Sequence, residues 1–105
     1  MEYDHIGLIT NEVKPGESFV EATKVWVTDA KEHPFRAEWL RFEPDSSAPE
    51  PIKTQPHVAF RVDSIEQASK GLKVLLEPFD VGFATVAFYQ TPDGAVIEFM
   101  KYKSA

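Results

Sequence analysis

The chain of 105 residues contains no cysteine. Disulfide bonds, thiolate metal ligands and cysteine nucleophiles are therefore excluded, and any metal ion would have to be held by His, Asp, Glu or water. Basic residues are also few: there are 11 Lys and Arg but 17 Asp and Glu, which gives a net charge of −6. Nucleic acids and anionic membrane surfaces attract basic proteins, so we expect neither as a partner.

Long apolar runs are missing as well. No stretch approaches the roughly 18 residues that a membrane span needs, and the N-terminus enters a strand-like segment directly, without the pattern of a secretory signal. We therefore expect a cytoplasmic protein. The length predicts a single domain over residues 1–105.

Alternating apolar residues predict strands at residues 3–10, 24–28 and 35–43, and then at residues 57–62, 72–76, 83–90 and 95–102. Between these strands, residues 17–22 allow at most a helical turn, and residues 44–56 are proline-rich and read as a linker. Ser64 and Gln67 fit a capping box and Gly71 a helix stop, so residues 64–70 are predicted to form a helix. Residues 51–105 thus form a βαβββ module, and residues 1–50 form a reduced version of it together with the linker. The fold class predicted is α+β.

The two modules echo each other. Residues 5–8 (His-Ile-Gly-Leu) match residues 57–60 (His-Val-Ala-Phe), and residues 38–42 (Glu-Trp-Leu-Arg-Phe) match residues 98–102 (Glu-Phe-Met-Lys-Tyr). Two matches in the same order indicate an internal repeat. The repeat predicts that each module contributes one His from its first strand and one Glu from its last.

Strand alternation tests whether these side chains can share one cavity. His5 lies on the face of Gly7 and His57 on the face of Ala59, so a very small residue leaves room beside each imidazole. Glu38 and Glu98 lie on mostly apolar faces, where a carboxylate is costly to bury unless it is paired or bound to metal. The four residues would suit Zn, Ni, Co, Mn or Fe(II) and would leave one or two positions open for a substrate.

Simpler interpretations of these residues exist. Each His could be a structural residue with ordinary hydrogen bonds, Glu98 could lie at the surface, and Glu43 could point inward in place of Glu38 if the strand is bulged. His33 is expected to be exposed and inert.

Two more residues are candidates for binding a substrate. Arg61 shares a face with His57 and could bind a substrate carboxylate, although it could equally form a solvated ion pair. Tyr89, with Trp39, is a candidate for an aromatic wall of the cleft.

The sequence resembles the vicinal oxygen chelate superfamily, which includes glyoxalase I, bleomycin resistance proteins, fosfomycin resistance enzymes, methylmalonyl-CoA epimerase and extradiol dioxygenases. The resemblance rests on residues 4–7 (Asp-His-Ile-Gly), 57–65 and 91–99. It implies a curved mixed sheet around a metal-binding cleft, with His5, His57 and Glu98 as ligands. Glu38 matches the position of a fourth ligand.

The resemblance implies three alternative functions. The first is a glyoxalase-like lyase or isomerase, in which a small vicinally oxygenated substrate forms a metal-stabilised enediolate after Glu98 or Glu38 removes its α-proton. The second is an extradiol-type dioxygenase with two His and one carboxylate on iron. The third is a non-catalytic protein that binds a small molecule such as an antibiotic.

A homodimer is also expected. The first module is short, and two Trp, three Tyr and eight Phe offer more large apolar area than a small core readily hides.

Overall fold

The computed structural model describes residues 1–104 and contains one mixed sheet of eight strands within them. The strands are β1 (Glu2–Ile9), β2 (Ser18–Val20), β3 (Val25–Val27), β4 (Ala37–Phe42), β5 (His57–Arg61), β6 (Lys73–Asp80), β7 (Ala84–Gln90) and β8 (Val96–Tyr102). The helical segments are α1 (Glu50–Thr54), α2 (Ile65–Ala68) and a 3-10 turn at Ala30–Glu32. Within residues 1–104, no helix is long and apolar enough to cross a membrane.

The order of strands in the sheet is β2-β3-β4-β1-β5-β8-β7-β6. In each half the first strand pairs in parallel with the last, β1 with β4 and β5 with β8, and the two halves meet where β1 pairs antiparallel with β5. The curled mixed sheet with few helices confirms the predicted α+β class. The boundary between the two modules at residue 50 stays a prediction.

The first half differs from its prediction at residues 17–22. Ser18–Val20 form β2 rather than a helical turn, with Phe19 paired to Trp26 of β3 and their ring centres 4.9 Å apart. β3 is equally short but consists of three consecutive apolar residues, whereas Ser18–Val20 has no such run to distinguish a short strand from a turn.

The predicted linker also contains structure. Pro49 precedes α1 and Pro51 lies in its first turn, where proline is tolerated because no helical N–H partner is lost. The helix places Ile52 in the core at 1% exposure. The proline-rich segment is therefore a packed element as well as a connection.

The two faces of the sheet pack differently. One face carries a core cluster that includes Ile52, Ala59, Phe88 and Met100. The opposite face carries Ala87, Tyr89 and Phe99, which cluster with Val62, just after β5, and with Ile65 of α2. Ser64 caps α2 by accepting a hydrogen bond from the Gln67 N–H, as the capping box predicted.

Candidate metal centre

Strand pairing places the two histidines and two glutamates in adjacent rows across the sheet. In the first row, His5 of β1 pairs with Ala59 of β5, which pairs with Glu98 of β8. A His and a Glu thus flank one very small residue.

The second row repeats this arrangement from the other direction. Gly7 of β1 pairs with Glu38 of β4 on one side and with His57 of β5 on the other. Exchanging the two halves converts one row into the other, so the sequence echo corresponds to an approximate two-fold pattern at the centre of the sheet.

The ligand atoms of these rows converge. Glu98 Oε1 lies 3.2 Å from His5 Nε2 and 3.1 Å from His57 Nε2, and Glu38 Oε1 lies 3.6 Å from His5 Nε2. Ligand atoms of His5, Glu38 and His57 all lie within 4.8 Å of one another. The side chains of His5, His57 and Glu98 are buried, and that of Glu38 is 19% exposed.

Three of the four imidazole nitrogens of His5 and His57 lack ordinary partners. Within residues 1–104, His5 Nε2, His57 Nε2 and His57 Nδ1 are buried and have no hydrogen bond of acceptable geometry. Buried polar atoms are nearly always satisfied, so such atoms call for an explanation, of which an ion is one.

The residues fit a divalent transition ion. Ligand atoms about 2.0–2.2 Å from one ion lie roughly 3 Å apart when they are adjacent around it, and the Glu98 distances to both imidazoles have this size. Two imidazoles and two carboxylates suit Zn, Ni, Co, Mn or Fe and leave positions open. Gly7 supports the same arrangement, because a Cβ there would stand 2.1 Å from His57 Cε1.

The two carboxylates differ in their electrostatics. Burial opposes ionisation of Glu98, but attraction to His5 and His57 outweighs it and lowers its pKa. Burial raises the pKa of Glu38 to about 7, because its attraction to His5 only partly offsets the loss of water and the charge of Glu98 adds to the rise. The first carboxylate is fixed as an anion, whereas the second can exchange a proton near neutral pH.

The Asp4 carboxylate contacts Nδ1 of His5, on the opposite side of the ring from Nε2, and so orients the imidazole. The sequence did not predict this role. Asp4 Oδ1 lies 2.7 Å from His5 Nδ1, and its Oδ2 accepts a hydrogen bond of 2.6 Å from the Tyr102 hydroxyl. A carboxylate can only accept here, so His5 carries a proton on Nδ1, and Nε2 is the nitrogen that would bind an ion once the imidazolium has lost its other proton. Regular alternation would have placed Asp4 on the face opposite His5. The irregularity in β1 between Tyr3 and His5 allows both to be buried.

Two of the candidate ligands, His5 and Glu38, lie where the two arms of a cleft meet, together with Ser18, Val27, Phe83 and Met100. Glu98 lines one arm, and His57 lies behind the lining of both. The polar arm, about 320 Å³, is also lined by Asp4, Asp29, Lys31, Arg36 and Tyr102. The apolar arm, about 330 Å³, is also lined by Phe19, Phe42, Ile52, Phe79, Val81 and Phe88.

The structure brings together most of the residues predicted from the sequence. Arg61 lies beside the site, with Nη2 3.5 Å from Asp4 Oδ2 and its guanidinium over the Tyr102 ring. Glu43 does not point inward, because it accepts a hydrogen bond from Trp26 Nε1.

Tyr89 requires a correction. It lies in the core with Phe99, on the face that packs against α2, and is 3% exposed. Its neighbour Phe88 faces the cleft instead, since successive strand residues point to opposite faces. Trp39 also lies outside the two arms, and its ring makes a cation–π contact with the Lys14 ammonium.

The sequence model of the Glyoxalase/Bleomycin resistance protein/Dioxygenase superfamily matches residues 3–99, and the chain belongs to this superfamily. This finding confirms the resemblance inferred from the motifs around His5, His57 and Glu98.

Two solved structures share the fold. Methylmalonyl-CoA epimerase from Mycobacterium tuberculosis has a TM-score of 0.67 at 15% identity, over 98% of this chain and 89% of that one. An uncharacterized protein from Methanosarcina mazei has a TM-score of 0.62 at 16% identity, over 100% and 97%. A comparison with curated proteins found no match. At these identities the similarity establishes the fold alone.

Proposed function

We propose that the protein is a metal-dependent lyase or isomerase that removes the α-proton of a small vicinally oxygenated carbonyl compound. The observation that supports this most is the convergence of two unpartnered imidazole nitrogens and two carboxylates next to a cleft that His5 and Glu38 line. His5, His57, Glu38 and Glu98 would hold the ion. A bound divalent ion would polarise the substrate carbonyl and make the neighbouring C–H group more acidic.

The two glutamates have different parts in this proposal. Glu98 is buried between both imidazoles with a lowered pKa, which suits an anion that stays in place to hold the site together. Glu38 faces both arms of the cleft, and its pKa is raised to about 7. This pKa describes the metal-free site, and a bound ion would lower it, so the assignment rests on position. Glu38 lines the space open to a substrate, and its Oε1 is the proposed acceptor of the α-proton, acting by partial dissociation from the ion.

Two other functions have less support. A dioxygenase site of two His and one carboxylate would gain if Glu38 turned away, but Glu38 points toward His5. A non-catalytic binding protein would gain from an aromatic cleft, and phenylalanines do line the apolar arm although Tyr89 and Trp39 line neither arm. That function does not account for the buried imidazole nitrogens without partners.

Proton exchange tests the proposed function directly. The purified protein is analysed for bound metal, and each of Zn, Ni, Co, Mn and Fe(II) is then tested with 2-hydroxyacetophenone in D₂O. We expect loss of the methylene signal in proton NMR with the metal-loaded protein but not with protein treated with EDTA. If an ion binds to the four residues and no metal supports exchange, the proposal is wrong and binding without catalysis remains.

A further inference from the structure

We propose that the cleft selects a small organic anion that also carries an uncharged aromatic or hydrocarbon group. Arg36 and Lys31 would bind the anionic group in the polar arm, and the phenylalanine-rich arm would bind the apolar group. The His–Glu cluster would then contact the oxygenated carbons between them. This inference rests on the proposed function, because it names the substrate class of that site.

Cationic groups are concentrated at the polar arm, although the chain as a whole has a net charge of −6. Lys31 and Arg36 line it together with Asp4, Asp29 and the candidate ligand Glu38, and Arg61 lies outside the lining, 3.5 Å from Asp4. A divalent ion held by Glu38 would offset the charge of that carboxylate. The three cationic groups would then outnumber the carboxylates of Asp4 and Asp29, which favours an anion at this place.

The guanidinium groups are only loosely paired. Arg36 Nη2 lies 3.6 Å and Arg61 Nη2 lies 3.5 Å from Asp4 Oδ2, whereas charge-assisted hydrogen bonds are about 2.7–2.9 Å long. Their side chains are 37% and 47% exposed. Because a guanidinium has five N–H donors, both can bind a second anion without releasing Asp4.

The backbone of Arg36 supports a role in the cleft. It has a φ of 56°, in the left-handed region that residues with a Cβ rarely adopt. The side chain turns back over β1, where its Nε donates a hydrogen bond to the backbone carbonyl of Asp4. Such strain persists when surrounding contacts hold it, and it is common at binding sites.

The apolar arm has the opposite character. Apart from its junction with the ligands, it is lined by aromatic and aliphatic side chains, with Ser18 and Thr23 as the polar exceptions. Within the described residues its lining contains no Lys or Arg. A charged group there would lose its hydration without gaining a partner, so this arm favours the uncharged end of a ligand.

Three matched compounds test the inference. The first is 3-hydroxy-4-oxo-4-phenylbutanoate, which has vicinal oxygens, a phenyl group and a carboxylate. The second is its primary amide, which lacks the charge, and the third is 3-hydroxy-4-oxopentanoate, which lacks the phenyl group. Binding is measured by calorimetry with metal-free protein and with protein holding one equivalent of Zn, because Arg36 and Lys31 are not ligands and should act in both.

We expect the phenyl carboxylate to bind at least about ten-fold more tightly than either of the other two compounds. Arg36→Gln should remove most of the preference for carboxylate over amide. Lys31→Met should also reduce the preference for carboxylate over amide, and it should have little effect on folding because Lys31 is exposed. Lys70→Met is the matched control, since Lys70 is exposed and lies outside both arms.

The outcomes separate this inference from the proposed function. Equal binding of acid and amide, or of phenyl and methyl compounds, overturns the inference, as does an unchanged preference in both Arg36→Gln and Lys31→Met. Exchange of the C3 proton in D₂O is followed in the same samples. Selective binding without exchange would support the ligand class and contradict the proposed reaction. Equally efficient exchange of acid and amide would support the proposed reaction and contradict the ligand class.

Discussion

Gly7 and His57 face each other across β1 and β5 at a distance that admits no side chain on Gly7. A Cβ at Gly7 would lie 2.1 Å from Cε1 and 2.6 Å from Nε2 of the His57 ring. The imidazole therefore occupies the space that an ordinary residue at position 7 would fill. At the related position in the first row, Ala59 lies between His5 and Glu98 with its Cβ in place.

Gly7→Ala is predicted to displace the His57 ring and to abolish tight metal binding. Overpacking of this kind costs about 1–3 kcal/mol, so the free energy of unfolding should fall without complete loss of the fold. Metal content by elemental analysis and unfolding in urea are the measurements. Ala59→Gly is the control, since it removes a methyl group and leaves the ligands free to bind. Full metal occupancy in Gly7→Ala would show that metal binding does not require the His57 ring in its present position.

The sequence predicted the grouping of the two His and two Glu residues better than their surroundings. The His–Glu echo and strand alternation identify His5, His57, Glu38 and Glu98 because both depend on local periodicity, and the structure brings these four together. Tyr89 was misplaced because aromatic character alone does not reveal which face of a buried strand a residue occupies. Asp4 was missed because its burial depends on an irregularity that only the pairing of β1 with β5 reveals.

Asp4→Asn should weaken metal binding by about 10- to 100-fold, the usual effect of removing a carboxylate behind a histidine ligand. An amide binds the His5 Nδ1–H more weakly, so the tautomer with Nε2 free is less favoured. Competition with a chelating dye measures the affinity, and the visible spectrum of the Co(II) form reports on the ligand geometry. Tyr102→Phe removes one hydrogen bond to Asp4 without touching His5 and should have a smaller effect. If Asn at position 4 left both readouts unchanged, Asp4 would have no positioning role.

The two glutamates of the first half provide a matched pair. Glu38→Gln is expected to slow α-proton exchange by at least about 100-fold, the scale of general base catalysis, and to weaken metal binding. Glu43→Gln changes the same residue type close by in the chain but removes only a hydrogen bond to Trp26, so exchange should persist. Exchange rates by NMR at saturating metal decide between them. Equal rates in the two variants would exclude Glu38 as the base.

A homodimer remains the expected assembly. Phe35 is 79% exposed, Phe83 51% and Tyr3 49%, and the Tyr3 hydroxyl donates to the Phe35 carbonyl. Exposed aromatic groups of this size often mark a contact between chains. Sedimentation at micromolar concentration should give twice the 11.9 kDa of one chain, and Phe35→Ser should shift the equilibrium toward monomer. A monomer in the unmodified protein would contradict this expectation.

The pH dependence of the metal-free protein offers an independent test of the charges at the site. Burial opposes protonation of His5, but attraction to Glu98, Glu38 and Asp4 outweighs it and raises its pKa to about 9 from 6.5. A folded-state pKa above the unfolded value means that the stabilisation is fully present below pH 6.5 and is lost as the pH rises through about 9. The raised pKa of Glu38 acts in the same direction between pH 4.5 and about 7, because the folded state retains a proton there that the unfolded state releases.

We therefore expect the melting temperature of the protein in EDTA to fall steadily between pH 5.5 and pH 9. With a saturating divalent ion the trend should be weaker or reversed, because the ion competes with protons for the same nitrogens and binds better as the pH rises. His5→Gln does not titrate at this position, so it should lose the part of the slope above pH 6.5. Calorimetric melting of both proteins across this range, with and without Zn, gives the comparison. A melting temperature that rises with pH in EDTA would show that the imidazole of His5 is not held as a cation among these carboxylates.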